Sequence, residues 1–256
     1  MFIFNLSIFL VSITLLIINI LGLKYKNRVP NIPEAKIKAS IFGQSKKIEN
    51  ERLLNPYPLK DEKIVVNRLM SLISDHMIHY LPPDHDRIPL TINWLLTFLS
   101  FTGVNYFKFY EFYNGYRAIK KEYGLCSQIA VTIWYFLRKA TIKNKVIRFK
   151  GHVLNLVEFS NGEIWVVDGD YRVIMPYDLL TLCKYSEKLV NQYYHDFSVE
   201  QKNRLIEIYK GKVEIISGFN MNSRLYFENF IFLVKWLIPI GFIAYSLNNI
   251  LSFIHP

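Results

Sequence analysis

Apolar residues run unbroken at both ends of the chain and fall into shorter periodic patterns between them. Residues 1–23, MFIFNLSIFLVSITLLIINILGL, carry no charged side chain, and a helix of that length crosses a hydrocarbon core of roughly 30 Å. The uncharged start and the flank LGLKYKNR lack the basic opening and small-residue cleavage site of a secretory signal, so the pattern predicts an uncleaved N-terminal anchor. A second apolar run, Phe230 to Leu247, is interrupted by Lys235. It predicts another span over residues 229–249, with Lys235 snorkelling to the interface beside Trp236.

Between the ends the periods are shorter. Residues 24–60 are polar and basic, with Pro30, Pro33, Pro56 and Pro58, and read as a connector. Ile64, Val65, Leu69, Leu72, Ile73 and Met77 recur at helical spacing. PPDHDRIP breaks the chain, and residues 88–107, apolar but dotted with Thr, Asn and Ser, suit a buried or interfacial helix rather than a third span. Residues 126–139 predict a strongly apolar helix. The segments KVIRFKGHVLNLVEF and EIWVVDGDYRVIM then turn to Val, Ile and aromatic residues, separated by SNG, and predict two antiparallel strands in a hairpin. Helical spacing returns over residues 185–209. The expected class is α+β over residues 61–225, with helices segregated from a small antiparallel sheet.

Composition narrows the partners. The chain is 51% hydrophobic and only 20% charged, which excludes extended disorder. Its net charge of +10 is confined to the middle: the first charged side chain is Lys24, and only Glu228 and Lys235 follow Arg224. That distribution suits a domain held against anionic lipid and carries no nucleic-acid-binding module. Lys24, Lys26 and Arg28 follow the first span, and Lys210, Lys212 and Arg224 precede the second. The positive-inside rule therefore puts the middle domain in the cytoplasm.

Three residues bear the candidate chemistry. Cys126 opens a helix, His152 follows Gly151 on the first long strand, and Asp168 lies near the end of the next. A helix N-terminus favours a thiolate through its unpaired N–H groups. An imidazole beside it relays the proton, and a carboxylate orients the imidazole. A hairpin places His152 and Asp168 on adjacent strands facing one side, and the Cys126 backbone N–H offers one oxyanion donor. The cluster His76, His79 and His85 among Asp75, Asp84 and Asp86 matches no zinc spacing. The aromatic run YFKFYEFYNGY reads as packing, and Cys183 as a structural thiol. No metal or cofactor is expected.

The segments GLCSQIA, GHVLNLVEF and WVVDGDYRV resemble the three motifs of the transglutaminase-like cysteine enzymes, in particular the short bacterial members. Gly124 and Ala130 flank the cysteine as in that family, Asn155 follows the histidine by three, and Trp165, Val166 and Val167 lead into Asp168. The resemblance covers about residues 105–185. It implies a papain-like core with Cys126, His152 and Asp168 as catalytic residues, acting on amide or acyl bonds of a peptide, protein or glycoconjugate. Leu156 stands where an acidic residue is common, and the interval from cysteine to histidine is short. The expectation is a membrane-anchored peptidase, amidase or transglutaminase in a bacterial inner membrane. The alternative is a catalytically idle scaffold of the same core that binds a peptide or glycan.

Overall fold

The computed structural model describes residues 2–24, 61–79, 88–216 and 218–254. The connector expected over residues 24–60 lies outside them beyond Lys24, as do Asp84, His85, Asp86 and His255. The chain divides into two units: a terminal unit of Met1–Arg28, Pro82–Tyr110 and Tyr226–Pro256, and a central unit of Val29–Leu81 and Glu111–Leu225.

The terminal unit contains α1 (Phe2–Lys24), α3 (Leu90–Ser100), α4 (Asn105–Lys108) and the part of α10 (Gly218–Ile254) from Tyr226 onward. Helices α1 and α10 are each long and apolar enough to cross a membrane. At 11 residues α3 is too short to do so, in keeping with its polar interruptions. The buried side chains of α1 are Asn5, Ser12 and Asn19, spaced by seven and so on one face, while Ile3, Leu10, Val11, Ile17 and Leu21 point outward.

Lys235 departs from the snorkelling expectation: it is only 5% exposed, and its Nζ donates to the Ile92 carbonyl at 2.8 Å. The cause lies in α3, which breaks at Asn93 (φ −159°, ψ 99°). In an unbroken helix the Leu96 N–H would bond the Ile92 carbonyl four residues back. Here that N–H donates to Asn93 Oδ1 at 3.2 Å, leaving the carbonyl to the ammonium. The Lys235 carbonyl in turn accepts from Asn19 Nδ2 at 2.7 Å and Trp94 Nε1 at 3.3 Å.

The central unit is α+β. It contains α2 (Glu62–His76), β1 (Ile78–His79), α5 (Gly115–Lys121), β2 (Tyr123–Gly124), α6 (Cys126–Lys139), β3 (Lys143–Phe149), β4 (His152–Glu158), β5 (Ile164–Asp168) and β6 (Val173–Met175). The helices α7 (Leu179–Lys184), α8 (Ser186–Tyr193) and α9 (Val199–Lys210) and the strand β7 (Val213–Ile216) follow. The main sheet is antiparallel throughout, in the order β6-β5-β4-β3-β7, and a short parallel bridge joins β1 to β2.

Three sequence expectations change in detail. The segment read as one long strand is two, folded at Lys150–Gly151. The pair Phe149↔His152 brackets that two-residue turn, and Gly151 takes φ +99°, open to glycine at little cost. His152 therefore opens β4 rather than continuing an earlier strand. The second expected strand likewise divides into β5 and β6, with Arg172 at φ 57° between them. The helical stretch at 185–209 is the pair α8 and α9, and β7 adds an edge strand beyond them.

Both faces of the sheet are covered, which is why β4 is buried along nearly its whole length, the polar His152 and Asn155 included. Ile147, Phe149, Leu154 and Val166 join Leu182, Leu189, Val190, Leu205 and Ile206 in one core, so this face meets α7–α9. The other face meets α6. Asn155 Nδ2 donates to the Ala130 carbonyl at 3.0 Å, and a Cβ on Gly169 would stand 2.3 Å from Ile133 Cδ1. Gly169 is therefore a point of close approach between sheet and helix.

Candidate functional site

Helix α6 fixes Cys126. Its first residue is the cysteine, and its N-cap, Leu125, makes no side-chain cap, so the N-cap residue itself leaves the anion-favouring end of the helix open. Two contacts hold that end in place. The Gln128 side chain accepts from the Phe112 N–H at 2.7 Å and donates to the Phe112 carbonyl at 2.8 Å. Gly124 passes so close that an added Cβ would lie 2.5 Å from Gln128 Cβ. Beside the cysteine, Ser127 Oγ donates to Glu111 Oε1, whose carboxyl is pushed up by burial against the lowering effect of that bond.

The sheet fixes His152 and Asp168. Asn155 pairs with Val167, so Leu154 stands opposite Asp168 and His152 is its diagonal neighbour on the same face. His152 Nε2 lies 2.8 Å from Asp168 Oδ2, with both side chains buried. Burial alone would lower the imidazole. The Asp168 charge and hydrogen bond, with a further contribution from Cys126, outweigh it and hold His152 well above its ordinary value.

Asp168 is fully buried, and desolvation would raise it. Its partners His152, Tyr194 and Tyr209 reverse that and hold it below the ordinary carboxylate value. Tyr194 and Tyr209 hydroxyls donate to Oδ2 at 2.8 and 3.0 Å, and lie 2.7 Å from each other. Two hydroxyl protons serve three oxygen–oxygen edges, so the triangle always has two edges bonded and a carboxylate that is never bare. Burial keeps both phenols well above their ordinary value, protonated and able to donate. Since an ionised Asp168 only accepts, His152 Nε2 carries the proton shared with it. The ring's other nitrogen, Nδ1, faces whatever lies on the remaining side.

On that side is the cysteine. Cys126 Sγ, a ring nitrogen of His152 and a carboxylate oxygen of Asp170 all lie within 4.8 Å of one another. They line a cleft of about 320 Å³ together with His79, Leu125, Gly151, Tyr171, Phe197, Gln201, Arg204, Leu205 and Ile208. The Tyr171 ring sits 5.1 Å from the imidazole, with burial pushing its phenol up.

The structure thus brings Cys126, His152 and Asp168 together. It also adds groups that local pattern reasoning missed. Asp170 follows Asp168 by two residues, in the turn after β5, and its presence is legible in the DGD motif. Tyr194 and Tyr209 arrive from α8–α9 with no local signal. His79 arrives through the β1–β2 register His79↔Gly124, and its Nδ1 lies 2.5 Å from Asp170 Oδ1. The expected histidine–aspartate cluster separates among the described residues: His79 meets Asp170, while Asp75 accepts from Arg172 at 3.3 Å. In the aromatic run, Tyr110, Phe112 and Tyr113 are buried. Cys183 is free, as is Cys126, and burial pushes the Cys183 thiol up. The chain matches no family model, no curated protein and no solved structure.

Proposed function

We propose that the protein is a membrane-anchored thiol enzyme of the transglutaminase-like class, acting on amide or acyl bonds through a cysteine acyl-enzyme. The observation that carries this reading is the ordered chain of groups from Asp168 through His152 to Cys126, opening on a cleft. Cys126 Sγ attacks the substrate carbonyl carbon while its proton resides on His152 Nδ1. The bond to the leaving amine breaks, His152 returns the proton to that amine, and a thioester remains. Water or a second amine, deprotonated by His152, then releases the acyl group. The Cys126 N–H at the start of α6 supplies one oxyanion donor.

The papain-like core, with Asn155 pinning sheet to helix, is part of the same proposal. So is the placement: α1 and α10 anchor the chain in a bacterial inner membrane, with the central unit on the cytoplasmic side. Their supports are the length and apolarity of both helices and the basic residues beside them. The substrate is a peptide, protein or glycoconjugate.

Labelling by a thiol-directed amide-mimic probe tests the reading, with Cys183 as the reference thiol in the same chain. Cys126 is expected to label fastest near neutrality and to slow by about 10²–10⁴-fold in His152→Ala, the usual contribution of a general base. Labelling no faster than Cys183, and unchanged in His152→Ala, overturns it in favour of an idle scaffold.

A further inference from the structure

The triad leaves one buried charge unused. Asp170 is 1% exposed at its side chain. Oδ1 is engaged by His79 Nδ1, but Oδ2 has no hydrogen-bond partner among the described residues. A buried carboxylate oxygen without a donor costs free energy unless a cation meets it. Asp170 lines the same cleft as Cys126 and His152, and one oxygen of its carboxylate falls within 4.8 Å of the Cys126 sulfur and a His152 ring nitrogen.

We propose that Cys126, His152 and Asp170 form a binding site for a divalent zinc-type ion, one that reversibly occupies the thiol. The donor set combines thiolate sulfur, imidazole nitrogen and carboxylate oxygen, the three ligand types zinc accepts. A tetrahedral zinc shell spaces such donors about 3.5 Å apart, so small side-chain movements close it. Three protein ligands leave a fourth position facing the cleft, the arrangement of an exchangeable rather than a sealed structural site.

The outer partners are already in place. The His152 Nε2–H is held by Asp168, fixing the ring so that Nδ1 presents its lone pair, and His79 holds Oδ1 of Asp170, leaving Oδ2 to the ion. Carboxylate–histidine–metal and hydrogen-bonded carboxylate ligands are the usual outer shell of zinc. On binding, the Sγ–H bond breaks, its proton leaves to solvent, and the Sγ–metal bond forms. His152 gives up any proton on Nδ1 in the same exchange. One thiolate and one carboxylate balance the two charges of the ion. A sulfur so held is unavailable for attack on a carbonyl, so the metal is an off state of the site.

The metal site rests on the cleft geometry and stands apart from the acyl-enzyme reading. The chain would bind zinc even if it never turned over a substrate, and it would label through His152 even if no metal bound.

The test uses the full chain in detergent, reduced and stripped with chelator, titrated with Co²⁺ alone and then competed with Zn²⁺. One equivalent of Co²⁺ is expected to give the sulfur-to-cobalt charge-transfer band, displaced by Zn²⁺. The band should vanish in Cys126→Ser, persist in Cys183→Ser, and require at least tenfold more Co²⁺ in Asp170→Asn. The half-exposed His79→Ala, which leaves the cleft core intact, should weaken binding by about 10–100-fold, the range for outer-shell partners. With one equivalent of Zn²⁺, alkylation of Cys126 should slow at least tenfold and recover on adding chelator. No band up to millimolar Co²⁺, a band that survives Cys126→Ser, or an unchanged affinity in Asp170→Asn overturns the site.

Discussion

The terminal unit turns Phe4, Leu10, Val11, Leu237 and Phe242 outward and buries Asn5, Ser12, Asn19, Lys235 and Ser246. The central unit does the reverse over most of its surface, burying Ile147, Leu154, Val157, Val167 and Met175 while charged side chains such as Lys143 and Glu163 stay exposed. Each unit gives some of its buried polar groups specific partners. Asn19 and Trp94 reach the Lys235 carbonyl and Lys235 reaches Ile92, just as Tyr194, Tyr209 and His152 reach Asp168. The difference lies in where polar burial occurs. In the terminal unit it follows one face of each long helix, as expected where the surroundings are lipid and only the interior offers hydrogen bonds. In the central unit, Gln128, His152, Asn155 and Asp168 concentrate around α6 and the sheet it packs on, the concentration that makes the cleft beside them a candidate site in an otherwise apolar core.

The comparison breaks most visibly at Asp168. Asp168→Ala leaves two phenols and an imidazole without their acceptor and is expected to destabilise the central unit by about 3–5 kcal/mol, the range for breaking a buried pair. Chemical unfolding followed by tyrosine fluorescence reads it. A loss below about 1 kcal/mol would mean the triangle is stable without its carboxylate.

The second test makes one kind of change in both units. Val11→Asp, near the middle of α1 on an outward position, should cost about 2.5–3.5 kcal/mol of membrane insertion. Retention in the membrane fraction after alkaline extraction reports it. Leu180→Asp, 80% exposed on α7, should stay within about 0.5 kcal/mol in unfolding. Equal tolerance at both positions would remove the case for a lipid surround.

Smaller is Gly124→Ala, which drives a methyl group into Gln128. About 1–3 kcal/mol of overpacking is expected in thermal unfolding, together with slower labelling of Cys126. Wild-type behaviour in both would separate the Gly124–Gln128 approach from placement of the thiol.

The pH test resolves the finest difference. Asp168 is lowered on folding, so its contribution is full above the ordinary carboxylate value of about 3.9 and is lost as pH falls through the lowered one. His152 is raised, so its contribution is full below about 6.5 and fades as pH rises through the raised value. Stability from the pair should therefore be complete between those two ordinary values and decline on either side. Asp168→Asn should flatten both limbs of the unfolding profile. An unchanged profile would assign the pH dependence to other groups.

What the sequence revealed follows from range. Helix α6, the strand character of 145–175 and the facing of His152 towards Asp168 depend on periods of two and 3.6, which local residues carry. The two long terminal helices were legible for the same reason. The break at Gly151 was missed because an alternating apolar pattern continues across it on both sides. Tyr194, Tyr209 and His79 lie 26, 41 and 91 residues from their aspartate partners, beyond anything periodicity encodes. Lys235 was misplaced because its partner carbonyl exists only where α3 breaks at Asn93, a backbone event with no apolar signature.

The Gln128 clamp has a consequence of its own. A helix backbone is uniform, and sliding by one residue rotates every side chain by about 100° while preserving the ladder of hydrogen bonds. Packing of Ile129, Ile133 and Leu137 would tolerate some such drift, but a cysteine that must meet one imidazole would not. By gripping both backbone groups of a single residue, Phe112, the amide acts as a detent that sets the rotational phase of α6. Gln128→Leu would retain the helix and lose its index, leaving a sulfur free to point along the groove instead of into it.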